Sequence, residues 1–364
     1  MTVNPTNGPV GVLVMAYGTP ASADDVEDYY THIRRGRPPT PEQLANLQAR
    51  YDALGGTSTL AARTADQVAG ITTALHQAAP DQYVVTLGQK HASPFVEDGV
   101  AELVAAGADR IVGLVLAPHF SAASVGQYHD RASESAMEAG AAYSGIERWY
   151  DRDAYHRFLV AAVRDGLGAL SDRARAGEIE PAGVEVVFTA HSLPERVLVD
   201  DPYAHELLAG ARRVAEELGL DAVSDGSTGE AGGVGGGGPT WSVGWQSAGA
   251  TPEPWRGPDI LEVIREVAAS GRADALLVCP QGFVADHLEV AYDLDIEATR
   301  VASEAGIAFG RTRTLNDHPS TLADLAALIH ATATTTHAPP EPGGERVATR
   351  PDLPQERRQP RSTS

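Results

Sequence analysis

The chain has 364 residues, 43% of them hydrophobic and 6% aromatic, with a formal net charge of −21. That length has room for two domains, and the acidic balance disfavours nucleic acid, whose binding needs a basic face. One cysteine, Cys279, excludes a disulfide framework and an all-cysteine zinc or iron–sulfur site within one chain, and no run reaches the ~18 apolar residues of a membrane span.

Strand-like apolar runs at 10–16, 82–87, 111–117, 184–190, 241–245 and 274–279 alternate with helical patterns. The expected fold class is therefore α/β, with parallel sheets covered by helices on both faces. The first run, in Val12–Pro20 (VLVMAYGTP), delivers Tyr17 to the carboxyl end of a strand, where open α/β sheets bind ligands. Ser22 is placed to cap a helix with Val26, Tyr30 and Ile33 on one face, ended by Gly36 and Pro38. Thr40-Pro41-Glu42-Gln43 is a capping box with Pro at the first helical position. The helix it opens carries Leu44, Leu47, Tyr51 and Leu54 on one side and stops at Gly55-Gly56.

Arg34, Arg35 and Arg37 form the densest internal basic cluster. Arg35 and Arg37 read as solubility charges, whereas Arg34 and Arg50 read as carboxylate-recognising guanidinium groups. The turn Gly55-Gly56-Thr57-Ser58 adds backbone and hydroxyl donors. Lys90-His91 follows another strand, and for His91 a pocket role and a structural hydrogen bond are equal readings. Leu114–Phe120 (LVLAPHF) continues through His119, Ser121 and Ser124 to Tyr128, with Ser124 and Tyr128 one helical turn apart.

Val186–Pro194 (VVFTAHSLP) repeats the grammar of the opening run, with His191 where the first has Tyr17. Leu276–Phe283 (LLVCPQGF) likewise repeats Leu114–Phe120. Two related α/β domains are expected, at 8–120 and 121–330, with a ligand cleft between them. The Gly-rich stretch 224–240 is expected to be a flexible surface loop and 331–364 a disordered tail.

In Phe283–Glu297 (FVADHLEVAYDLDIE), Glu289, Asp293 and Glu297 recur at every fourth position. In a regular α-helix that spacing drifts by ~40° per step, and a local π-turn would bring the three into line. A row of carboxylates suits a divalent cation passing along it, and a solvated acidic helix face is the plainer reading. Asp286 beside His287 reads as an acid–imidazole pair fixing the start of that helix. No phosphate-binding GxxxxGK[ST] loop, GxSxG nucleophile elbow or HExxH pair is present.

MAYGTP, YYTHIRRGRPP, YDALGGTS, KHASPF, LAPHFSAAS, TAHSLPERV, VGWQSAGATPEPWRGPD and GFVADHLEVAYDLDIE, in this order, resemble the ferrochelatases. The nearest likeness is to the soluble coproporphyrin III ferrochelatases of Gram-positive and actinobacterial type, over about residues 8–330. The resemblance implies two Rossmann-like domains of the chelatase-like fold enclosing a porphyrin cleft, and insertion of Fe2+ into coproporphyrin III in haem biosynthesis. It implies that His191 and Glu289 are catalytic and bind the incoming iron, with Asp293 and Glu297 extending the metal path. Tyr17 then faces the other side of the porphyrin, and Arg34, Arg50, Tyr51, Ser58 and Tyr128 hold the substrate or its propionates.

Many actinobacterial members of the family it resembles carry a [2Fe–2S] cluster on several cysteines. With Cys279 alone none is expected here, nor any permanently bound cofactor, Fe2+ being a substrate. No apolar lip for a membrane occurs near 36–56, and no basic leader precedes an apolar core. The expected setting is the cytoplasm, without membrane insertion and with transient contact to neighbouring haem-pathway enzymes. A haem carrier and a sirohydrochlorin cobaltochelatase are the rival readings. The acidic row argues against the first, and Glu289 in place of a second His argues against the other.

Overall fold

The computed structural model describes residues 8–175, 183–223, 238–249 and 251–335. Its first sheet holds β1 (Val10–Ala16), β2 (Tyr83–Gln89), β3 (Arg110–Val115) and β4 (Ala142–Ile146) in the order β2-β1-β3-β4. The second holds β5 (Val184–His191), β6 (Asp221–Ala222), β7 (Thr240–Gln246), β8 (Ala275–Cys279) and β9 (Ala308–Arg311) in the order β6-β7-β5-β8-β9. Every pairing is parallel, as an alternation of strands and helices demands.

Helices α1 (Val26–Ile33), α2 (Pro41–Ala53) and α3 (Leu60–Ala78) separate β1 from β2, and α4 (Val96–Ala105) leads to β3. A π-turn, Ala122–Gly126, runs into α5 (Gln127–Glu138). The long α6 (Asp153–Arg175) crosses to the second sheet, where α7 (Tyr203–Leu218) and α8 (Ile260–Ser270) follow β5 and β7. The short α9 (Leu288–Val290), a π-helix at Ala291–Ala298 and α10 (Thr299–Ala305) join β8 to β9, and α11 (Pro319–Thr335) is the last of the described elements.

The capping box of α2 is complete: Thr40 accepts from the Gln43 amide and Gln43 from that of Thr40. Ser22 does not cap as expected. Its hydroxyl donates to Asp25 at 2.6 Å, and the chain enters α1 through a 3-10 turn at Ala23–Asp25.

Alternate residues of the central strands face opposite layers. Val12 and Val14 of β1 and Val186 and Phe188 of β5 point into one shared core, with Leu322, Leu325 and Ile329 of α11. Leu13 and Met15 face a second layer against α4 and α5, and Val187 faces a third against α8 and the π-helix. The two halves therefore share apolar interior.

Two expected boundaries change. The edge at 120 cuts the first sheet too short, because β4 pairs with β3. The tail does not begin at 331, because α11 runs to Thr335 with Ala333 buried. That helix packs back along α3, with Gly70 allowing close approach: a Cβ there would come within 2.5 Å of Leu322 Cδ1. Of the Gly-rich stretch, 224–237 lies outside the described residues, and so does the tail from 336. Among the described residues no helix is long and apolar enough to cross a membrane.

Candidate active site

β1 lies between β2 and β3, and β5 between β7 and β8. In each sheet the chain leaves its central strand to one side and later returns to the other. The carboxyl end of such a strand is a switch point, where a crevice opens. Tyr17 follows β1, and His191 is the last residue of β5. Tyr17 is 43% exposed although all of β1 before it is buried. Gly18 makes the turn at φ +91°, where a Cβ would meet that of Ala92 at 2.8 Å.

His191 and Glu289 face each other, with Nε2 3.6 Å from Oε1. The Nδ1 of His191 lies 2.5 Å from the Ser192 carbonyl oxygen. A carbonyl only accepts, so Nδ1 carries the hydrogen, and the neutral ring presents its Nε2 lone pair on the Glu289 side. Burial pulls the imidazole pKa down. The charge and hydrogen bond of Glu289, the Ser192 carbonyl and the charge of Asp293 outweigh that and hold it at about 8. Burial pushes Glu289 up, but His191, His287 and Arg50 together draw it down to about 2.

Of the carboxylate row, Glu289 lies on the short α9, and Asp293 and Glu297 lie on the π-helix that follows it. His287 starts this segment with its own ring, Nδ1 accepting from the Glu289 and Val290 amides at 3.0 and 3.3 Å. The expected Asp286–His287 pair is not formed. Asp286 is taken by the Asn316 side chain at 2.8 Å and by Arg311 at 3.2 Å. Asp293 is bonded to Arg50 and accepts from the Ser247 hydroxyl at 2.5 Å. Burial raises it, Arg50 and Ser247 oppose this, and Glu289 and Glu297 add to it, leaving the carboxyl at about 7. Among the described residues no three His, Cys, Asp or Glu side chains converge to hold a metal. His191, Glu289, Asp293 and Glu297 are thus a facing pair and a row, not one ligand cage.

The charge of Glu289 reaches Tyr17, Tyr29, Tyr51 and Tyr203, raising each phenol beyond what burial does. Tyr17 and the second-half carboxylate therefore lie within electrostatic reach of each other. Tyr51 is buried, with its hydroxyl 3.5 Å from that of Thr19. Tyr128 is buried under the Lys90 ammonium, which sits 4.9 Å from the ring centroid. Burial, Arg131 and Arg35 lower Lys90 to about 8. His91 packs on Tyr17 with centroids 4.7 Å apart and faces His32, Nδ1 to Nδ1, at 3.0 Å. Burial, Lys90, His32 and Arg131 depress it to about 3, so it is neutral.

Arg34 caps α1, stacks over Tyr30 and donates to the Arg37 carbonyl. Among the described residues no carboxylate pairs with it. Arg50 differs from the expected propionate holder, being committed to Asp293 and lying 4.5 Å from the Tyr292 ring centroid. The Ser58 hydroxyl accepts from the Leu60 amide at 3.2 Å and so shapes the start of α3. His119 is buried against Tyr150, where burial alone drops its pKa to about 3.

Tyr29, Gln246, Ser247 and Tyr203 were missed. Tyr29 donates to the Gly18 carbonyl, Gln246 to that of Glu289 and Tyr203 to that of His191. Gln246 is in register with His191 across the β5–β7 ladder. The carboxyl end of the 241–245 run was the signal that could have found Gln246.

The family model described as Ferrochelatase matches residues 9–333. The chain is 39% identical to the coproporphyrin III ferrochelatase of Oceanobacillus iheyensis, covering 88% of this chain and 96% of the relative. It is 40% identical to a ferrochelatase of Herpetosiphon aurantiacus over 85% of this chain and 94% of the relative. Among solved structures, SirB from Bacillus subtilis with Fe3+ has 13% identity and a TM-score of 0.49, covering 90% of this chain and 97% of that one.

Proposed function

The chain belongs to the ferrochelatase family, and from that premise we propose how it works: it inserts Fe2+ into coproporphyrin III in haem biosynthesis, with His191 and Glu289 as the catalytic pair. The observation that carries the reading is this pair, 3.6 Å apart, at the end of one central strand, with Tyr17 at the end of the other.

A free-base porphyrin is flat and holds two N–H protons at its centre. Iron enters only if a pyrrole nitrogen tips its lone pair out of plane and the protons leave. Contacts at the periphery supply the strain for that tilt. Arg34 and Lys90 offer positive charge to the four propionates, and Tyr51 and Tyr128 form buried walls.

The Nε2 of neutral His191 is the base for the pyrrole protons. Glu289, ionised throughout the physiological range, balances the charge of Fe2+ beside it. Asp293 and Glu297 lead the cation inward, and Arg50 with Ser247 keeps Asp293 in line. Tyr17 stands on the opposite side as a ligand for iron in the product.

The protein works in this reading without a resident cofactor, in the cytoplasm, and meets neighbouring haem-pathway enzymes only transiently. Its single cysteine is buried on β8, which suits no cluster. The test is to mix the protein with Fe2+ and coproporphyrin III and follow loss of porphyrin fluorescence, then repeat with protoporphyrin IX. Faster turnover of coproporphyrin III is expected. Turnover of neither substrate would refute the activity, and a preference for protoporphyrin IX would refute the substrate.

A further inference from the structure

The connection from β3 to α5 is held by carboxylates from the other half of the molecule. Asp201, just before α7, accepts through Oδ2 from the Ala122 amide at 2.9 Å and the Ser121 hydroxyl at 3.1 Å. Its Oδ1 accepts from the Tyr203 amide at 3.0 Å. Glu206, one turn along α7, accepts from the Phe120 amide at 2.7 Å and pairs with Arg148. Ser121 is fully buried and also accepts from the Ala123 amide. These N–H groups open the π-turn that carries α5, and turn-opening amides have no partner within their own helix. One carboxylate thus ends two helices at once, one from each half.

The same α7 start grips the active site. Tyr203 donates its hydroxyl to the backbone oxygen of His191 at 3.1 Å. At the other end of the chain of contacts, α5 bears Tyr128 in its first turn. The path from His191 through Tyr203, Asp201 and Ser121 to Tyr128 joins the metal side of the crevice to the opposite wall. Asp200 reaches Asp201 at φ +59°, a conformation that costs an Asp less than most residues.

We infer that Asp201 is a positioning residue: it sets the spacing between the His191–Glu289 pair and the Tyr128 wall, and so controls how well a bound porphyrin is aligned for metal insertion. This rests on the ferrochelatase reading above. A small misplacement of reacting groups costs rate far more than affinity.

The experiment compares wild type with D201A, D201N, S121A and the double variant S121A/D201A. It measures kcat for Fe2+ insertion into coproporphyrin III, porphyrin Kd by fluorescence quenching, thermal midpoint, and amide exchange at Phe120 and Ala122. D201A is expected to lose about tenfold in kcat with Kd within about twofold, and to lose protection at Ala122. D201N, which keeps one acceptor oxygen, is expected to fall between D201A and wild type. The double variant S121A/D201A is expected to be no slower than D201A, since both remove one linkage.

Wild-type kcat in folded D201A, or additive losses in the double variant, overturns the inference. If D201A does not fold, wild-type kcat in both D201N and S121A overturns it equally. A wild type that inserts no iron refutes the parent reading instead. In that case unchanged exchange at Ala122 in the variants still overturns the linkage.

Discussion

The Arg50 guanidinium, on a helix of the first half, is bonded to the carboxylate of Asp293 on the π-helix of the second. A cation that the sequence suggests for substrate carboxylates is thereby used on a carboxylate of the protein itself. The side chains are 26% and 8% exposed, so the pair lies between a surface bridge worth about 0–1 kcal/mol and a buried one costing about 3–5 kcal/mol to break.

Replacing Arg50 by Ala is accordingly expected to destabilise the fold by about 2 kcal/mol, read from the urea midpoint. It also removes the charge that opposes the burial of Asp293, so that carboxyl climbs further above about 7 and is neutral at physiological pH. Slower use of Fe2+ at low concentration follows. An R50A protein as stable as wild type, with the same KM for iron, would show that the bond is idle.

For His191→Ala, loss of iron insertion is expected while coproporphyrin III still quenches on binding. Substantial turnover by the variant would remove the imidazole from the mechanism.

The pH dependence has a definite sign. His191 is held at about 8, so at neutral pH most empty protein carries the ring proton, which competes with Fe2+ for Nε2. The kcat/KM for iron is therefore expected to rise with pH and level off above about 8. The raised pKa also favours the folded state fully below 6.5, a contribution gone once pH exceeds about 8. A profile flat from pH 6.5 to about 8 would contradict this assignment.

Arg34, with no carboxylate partner among the described residues, is free to meet a propionate. Arg34→Ala is expected to raise the Kd for coproporphyrin III by about tenfold, one charge-assisted contact being worth about 1.5 kcal/mol. The loss should shrink at high salt. Equal affinity by titration would place the propionates elsewhere.

The central strands were legible because strands buried on both faces are written as unbroken apolar runs: Val10–Ala16 and Val184–His191 coincide with their runs to within a residue. β4, β6 and β9 were not. They lie at or near sheet edges, and sequences such as Ala142–Ile146, with only Ile146 buried, have no such run. Tyr17 and His191 stand out because two runs share one grammar, whereas the acidic row by its spacing reads more plainly as a solvated face and Glu289 is singled out by the resemblance to the ferrochelatases. The partner of Arg50 could not, since it lies 243 positions away and no local pattern encodes it. The Ser247 contact was equally hidden, its backbone sitting at φ +62° where no glycine marks the turn.

The last helix, α11, runs back to lie along α3, and Tyr83 bonds His330 at 2.6 Å while Arg152 clasps Asp324. This last described helix of the second half is thus tied down by packing, a hydrogen bond and an ion pair together, so any parting of the two halves along this side has to break all three.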